Sequence, residues 1–180
     1  MEYPILTQRL RIEPLAIPHL YTFVTYRQDP EIARFQSWET TYSKEQALEL
    51  IDSQAGVLVP NKGQWLQLAI HILVTGEHAG DLAFHSVQEE DSTFELGFTI
   101  ASKYQGQGFA KEAATGLMNC LVSEARAKRF IATTDSRNTA SIKVLTALGF
   151  MQDDSKSWTE TFKGEVVTVD YFETSLMVSK

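Results

Sequence analysis

The spacing of apolar positions changes period several times along the chain, and each change marks an element. Gln8-Arg9-Leu10-Arg11-Ile12 alternates polar and apolar residues, which predicts a half-buried strand. Pro18, followed by Leu20, Phe23 and Val24 on one helical face, predicts a helix with proline in its first turn. Asp29-Pro30 predicts a second helix start, with Asp as cap ahead of Ile32, Ala33 and Phe35. Ser43-Lys44-Glu45-Gln46 has the form of a capping box and opens a helix to about Ser53 that buries Ala47, Leu48 and Ile51.

The centre of the chain is rich in strands. Trp65 to Leu73 reads as a strand, Thr75-Gly76-Glu77-His78 as its turn, and Gly80 to Val87 as the partner. A polar turn, Glu89-Glu90-Asp91-Ser92, leads to a third strand from Phe94 to Ile100, so an antiparallel meander is expected. After a glycine-rich turn, Ala110, Ala113, Ala114, Leu117, Met118, Leu121, Val122 and Ala125 recur at helical spacing, the strongest amphipathic pattern in the chain. Phe130 to Thr134 is a short strand, which makes strand, helix and strand a parallel crossover. Asn138 caps a further helix carrying Ala140, Val144, Leu145 and Leu148, and Gly149 ends it. Trp158 to Phe162 and Val166 to Leu176 flank Lys163-Gly164 as a hairpin. With no internal repeat, low-complexity tract or linker, residues 1–180 read as one α+β domain with a mixed sheet.

Composition narrows the function classes. A chain of 180 residues, 43% hydrophobic and 22% charged, fits a soluble globular domain. No apolar run is long enough for a membrane span, and the N-terminus lacks the pattern of a secretory signal. The single Cys120 cannot form an internal disulfide, which suits a reducing cytoplasm. The net charge of -7 argues against a general nucleic-acid binder and is compatible with a cationic substrate. No His/Cys cluster has metal-ligand spacing, so no metal is expected.

The candidate chemistry lies in Tyr104-Gln105-Gly106-Gln107-Gly108-Phe109-Ala110, between a strand and a helix. Glycines let backbone N–H groups approach an anion closely, and a helix N-terminus adds partial positive charge. A nucleotide-triphosphatase loop is excluded, because no Gly-x-x-x-x-Gly-Lys-Ser/Thr run exists. A dinucleotide fingerprint fits poorly, since Lys111 stands where its third glycine belongs. Gln/Arg-x-x-Gly-x-Gly/Ala is met by Gln105, Gly108 and Ala110. A helix entry that is glycine-rich without binding anything is the plain alternative.

This loop resembles the acetyl-CoA loop of the GNAT N-acetyltransferases. Glu95-Leu96-Gly97-Phe98-Thr99-Ile100 is similar to that family's fourth strand, and Asn138-Thr139-Ala140-Ser141 with Leu148-Gly149-Phe150 to the segment after its fifth. Thr7 to Ile12 and Asp29 to Trp38 resemble the RimJ/RimL-type branch, whose founders acetylate N-termini of ribosomal proteins. The resemblance implies a mostly antiparallel, twisted sheet flanked by helices, with a splay between the fourth and fifth strands. It implies acetyl transfer from acetyl-CoA to an amine by direct attack, and the branch often forms dimers.

In that reading, backbone N–H groups of Gln107 to Ala110, including Phe109, hold the pyrophosphate, while Gln105 and Gly106 shape the loop. Phe98 and Ile100 pair with the pantetheine arm through their backbone, and Asn138 hydrogen-bonds it or simply caps its helix. An N–H near Phe98 serves as oxyanion donor. Glu95 is the candidate base, against the plain alternative of a cross-strand carboxylate, with His85 as a second candidate. Leu145 stands where many members carry a tyrosine acid, so Ser141 is the candidate donor to the leaving thiolate, or else a first-turn residue only. Phe35, Trp38, Trp65, Phe84 and His85 are candidate acceptor-site residues, Trp38 first among them; packing is the alternative for each. The missing tyrosine also leaves open a different class, a CoA-binding sensor or interaction module without turnover.

Overall fold

A computed structural model describes residues 1–87, 90 and 92–175. Glu89 and Asp91 of the expected polar turn, and Leu176 at the end of the last expected strand, lie outside the described residues. Among the described residues nine strands form one sheet: β1 (Ile5–Leu6), β2 (Leu10–Pro14), β3 (Leu66–Ile72), β4 (His78–Ser86), β5 (Thr93–Ile100), β6 (Arg129–Asp135), β7 (Met151–Gln152), β8 (Trp158–Phe162) and β9 (Glu165–Ser175). The order is β1-β2-β3-β4-β5-β6-β9-β7, with β8 on β9. Every pairing is antiparallel except β5 with β6. The expected meander is therefore β3-β4-β5, and the expected crossover joins β5 to β6.

Five α-helices accompany the sheet: α1 (Leu20–Arg27), α2 (Pro30–Ala33), α3 (Lys44–Ser53), α4 (Phe109–Ser123) and α5 (Thr139–Ala147). Their starts follow cap chemistry. Ser43 Oγ accepts from the Gln46 amide while Gln46 Oε1 accepts from the Ser43 amide, a complete capping box. Asp29 accepts from the Glu31 amide, yet α2 runs only four residues. Pro18 sits in a 3-10 turn, Ile17–His19, so α1 begins later than the pattern suggested. The two-residue strands β1 and β7 carry no period of their own; their partners impose them.

Alternation along β4 and β5 divides the core. Leu82, Phe84, Phe94 and Leu96 share the face covered by α4, whose Ala113, Ala114, Leu117 and Leu121 are fully buried. Asp81, Ala83 and His85 with Thr99, Gly97 and Glu95 form the opposite face, under α1. There Arg27 is buried, with its guanidinium 3.7 Å from the Trp38 ring centroid and 3.6 Å from Asp81 Oδ1.

His78, at the start of β4, is 7% exposed. Burial first, and then the nearby His19 and His71, lower its pKa from 6.5 to about 3. Above pH 6.5 the ring is neutral folded or unfolded, so the shift costs nothing there. Below pH 6.5 the unfolded chain binds a proton that the folded chain refuses, and stability falls until the pH nears 3. Relative to His78→Gln, the protein should lose about 2 kcal/mol more between pH 7 and pH 5 in metal-free urea unfolding, at roughly 1.4 kcal/mol per unit. Parallel losses in the two proteins would refute this account of His78.

Candidate active site

The chain leaves β5 through a 3-10 turn, Ser102–Tyr104, and reaches α4 through residues that only glycine tolerates well. Gly106 and Gly108 have φ of +74° and +80°, in the left-handed region. Gln105 Nε2 donates to the Ile100 carbonyl at 3.0 Å and ties the loop to the end of β5. Gly108 is the N-cap of α4 and offers no side chain to the first turn. The first helical bond runs from the Glu112 amide to Gly108 O, which leaves the amides of Gly108 to Lys111 without intrahelical partners. Among the described residues, no hydrogen bond engages the amides of Gly106 and Gln107 either. A Cβ on Gly106 would meet nothing within 4 Å, so the space over these donors is open.

Beside the loop the sheet opens. β5 pairs with β6 only at Thr93, Phe94 and Glu95. The antiparallel bonds from Val87 N to Thr93 O and from Ala101 N to Ala79 O fix the alternation of β5. Odd residues turn their backbone groups to β4, and Leu96, Phe98 and Ile100 turn theirs to the gap. The Ile100 carbonyl is occupied there by Gln105, so an expected pairing through Ile100 is restricted to its N–H. The gap is part of a cleft of about 570 Å³ whose far wall includes Thr133, Asn138, Ser141 and Leu145. Asn138 Oδ1 accepts from the Ser141 amide at 3.1 Å, a cap that leaves its Nδ2 free to donate. The Ser141 hydroxyl makes no hydrogen bond among the described residues.

Glu95 lies on the α1 face of β5. Its oxygens are held by His85 Nε2 at 2.9 Å and by Thr133 Oγ1 at 3.1 Å, and Thr133 itself lines the cleft. Burial alone would lower the His85 pKa, but the Glu95 and Ser86 hydrogen bonds and the Glu95 charge outweigh it and raise the pKa. Trp65 packs on His85 with ring centroids 4.3 Å apart.

Two expected acceptor-site residues sit elsewhere. Phe84 is fully buried against Phe94 on the α4 face, a core position that no substrate reaches. Trp38 lies over the Arg27 guanidinium, and its Nε1 donates to Arg27 O at 3.1 Å. Phe35 and Gln36, just before it, reach the cleft instead.

Sequence reasoning missed the clamp behind the loop. Arg9 Nε and the Arg9 amide hold the two oxygens of Glu112 at 2.6 and 2.7 Å, and Arg9 Nη1 donates to Gln107 O at 3.0 Å. Thr7 Oγ1 also donates to Glu112 at 2.6 Å. Burial pushes the Glu112 pKa up, but Thr7 and Arg9 outweigh it and lower it. Arg9 and Glu112 lie about a hundred residues apart, so no local pattern could have paired them.

A parallel joint opened beside a glycine loop whose amides are unspent defines a transferase fold built for an acyl-coenzyme A. The acetyltransferase (GNAT) domain model matches residues 9–151, and the chain belongs to this family of acetyl-CoA-dependent N-acetyltransferases. Its relatives include the uncharacterized N-acetyltransferase p20 of Bacillus licheniformis, 25% identical over 92% of each chain. RimL, a ribosomal-protein α-N-acetyltransferase solved with coenzyme A, superposes with a TM-score of 0.82 at 17% identity, covering 97% of this chain and 98% of its own. Spermidine N-acetyltransferase from Vibrio cholerae, solved with CoA and spermine, gives 0.79 at 14% identity over 94% and 96%. The fold thus falls among RimL-type neighbours, and among the described residues no helix is long and apolar enough to cross a membrane.

Arg9→Ala should lower stability by about 1 kcal/mol, the scale of a half-exposed charge-assisted contact. It should also weaken coenzyme A several-fold by releasing the Gln107 carbonyl. Urea unfolding and a CoA titration check both; a variant equal to the parent in each would remove Arg9 from the loop's support.

Proposed function

We propose that the protein transfers the acetyl group of acetyl-CoA to a primary amine, either a peptide or protein N-terminus or a small amine. The observation that carries this reading is the row of unspent amides from Gly106 to Lys111 at the head of α4, opening onto the gap between β5 and β6. Coenzyme A fits that donor set: a diphosphate takes the amides, and an extended amide-bearing arm matches the free backbone groups of Phe98 and the Ile100 N–H. When bound, acetyl-CoA supplies an activated thioester.

The chain's own residues do the remaining work. The amides of Gln107, Gly108, Phe109 and Ala110 bind the diphosphate, with Gln105 and Gly106 setting the loop. Asn138 Nδ2 donates to the arm while its Oδ1 caps α5. The Phe98 N–H faces the gap and polarises the acyl carbonyl. A protonated amine cannot attack, so a base is required. Glu95, held by His85 and by Thr133 of the cleft wall, accepts that proton. Ser141 Oγ, unengaged and in the first turn of α5, gives a proton to the departing sulfur in place of the tyrosine that Leu145 replaces. Phe35 and Gln36 lie at the acceptor end of the cleft.

Thiol release from acetyl-CoA over a panel of peptides, polyamines and small amines tests the activity. CoA binding with no thiol release across the panel would favour a module without turnover. Gly108→Val should abolish CoA binding, because a branched side chain both strains a φ of +80° and covers the amides; an unchanged affinity would overturn the diphosphate assignment. Ser141→Ala should cut kcat at least tenfold, about 1.4 kcal/mol of barrier, with CoA affinity retained. An unaltered kcat would leave Ser141 as a helix residue alone.

A further inference from the structure

We propose that Glu13, His19 and His71 form a site for a divalent first-row transition metal, with Zn²⁺ the best match. No metal was expected from the sequence, because the ligands come from three separated segments: the end of β2, the 3-10 turn before α1, and β3. The fold gathers them on the α1 face, away from the cleft; none of them lines it.

Their ligand atoms all lie within 4.8 Å of one another. Glu13 Oε1 is 3.5 Å from His19 Nε2 and 3.6 Å from His71 Nε2. Both separations are long for hydrogen bonds. They lie within a few tenths of an ångström of the edge of a coordination tetrahedron, roughly 3.3–3.4 Å when zinc–ligand bonds are about 2.0–2.1 Å. His71 is set up as a ligand: its Nδ1 lies 3.2 Å from Gly76 O, which holds the ring proton on that side. The opposite atom, Nε2, is buried and has no hydrogen-bond partner. A backbone carbonyl on the far ring nitrogen is the usual orienting contact of a metal-bound histidine. Arg11 pairs with Glu13 Oε2 and leaves Oε1 for the ion.

His19 is buried, and its Nδ1 accepts from the Ala16 amide at 2.9 Å. To ligate through Nε2 it must shift its ring proton to Nδ1 and give up that one bond. A register shift between Ile70 and His71 also brings His78 to this face, 5.2 Å from the His71 ring and 5.3 Å from His19. Among the described residues neither buried His78 nitrogen has a hydrogen-bond partner, so the patch offers imidazole lone pairs that these residues leave unsatisfied. Imidazole and carboxylate are donors that zinc takes, and three protein ligands leave a fourth position for water.

The test uses the tag-free protein, stripped with EDTA and titrated with Zn²⁺ against a chromophoric chelator. One equivalent should bind with micromolar or tighter affinity and raise Tm by several degrees. Co²⁺ should give the intense visible bands of a four-coordinate site. His71→Ala and Glu13→Gln should each weaken binding at least tenfold while keeping the parent's far-ultraviolet spectrum. Glu13→Gln preserves shape, so it decides the matter should His71→Ala fail to fold. Absence of saturable zinc binding in the parent, or unchanged affinity in Glu13→Gln, would overturn the site.

Discussion

Between β5 and β6 the ladder stops after the Glu95–Ile131 pair, and beyond it the backbone groups of Phe98 and the Ile100 N–H find no partner on β6 among the described residues. A sheet interior rarely tolerates this, because a buried unpaired N–H or C=O costs nearly a full hydrogen bond. The outer partners enforce it. β5 is paired with β4 from Phe94 to Ile100, and β6 with β9 along its whole length. Neither strand can swing inward without breaking a continuous ladder. The gap-facing carbonyl of Ile100 finds a side-chain partner, and that partner is Gln105 of the glycine turn. The same residue thus ends the open strand and begins the loop.

The mouth of the cleft is held from the other direction. Arg27 is buried against the rings of Phe23, Trp38 and Tyr42, at 4.0, 3.7 and 5.0 Å, with Asp81 as its counter-ion. Burial raises the Asp81 pKa, and Arg27 and the Tyr26 hydroxyl act against that rise. From the β8–β9 turn, Lys163 Nζ donates to Ala33 O at 2.9 Å and to Trp38 O at 2.6 Å. Residues 33–38, including Phe35 and Gln36 at the cleft, are therefore fixed at both ends by cations. Charge here reinforces a segment that buries Ala33 and packs Trp38 against the core.

What the sequence made legible follows the range of each signal. Local signals were read well: the capping box at Ser43, the cap at Asn138, the glycine-rich turn before α4, and the period of α4 all depend on near neighbours in the chain. Parity was harder. Phe84 and His85 are adjacent in β4, yet one faces the α4 core and the other faces Glu95, and the face cannot be assigned until the register is known. Trp38 read as an acceptor contact because its flanks are polar, but its binding partner is Arg27, eleven residues earlier. The Arg9–Glu112 clamp and the Glu13–His19–His71 group had no sequence signature: packing of α4 on the first two strands assembles the one, and β2, β3 and the 3-10 turn before α1 assemble the other.

Register also explains how one strand can serve two purposes. Beyond the paired segment, Phe98 and Ile100 aim their backbone groups into the gap, and the even-numbered residues of β5 send their side chains into the α4 core. Odd-numbered residues spend their backbone on β4 and send side chains to the α1 face, where Glu95 meets His85 and Thr133. A slip of one residue would exchange these assignments, burying the Glu95 carboxylate against α4 and turning Phe94 toward Thr133. The apolar requirement of the α4 face thus fixes, without any contact to substrate, which backbone N–H groups look into the cleft and where the carboxylate stands.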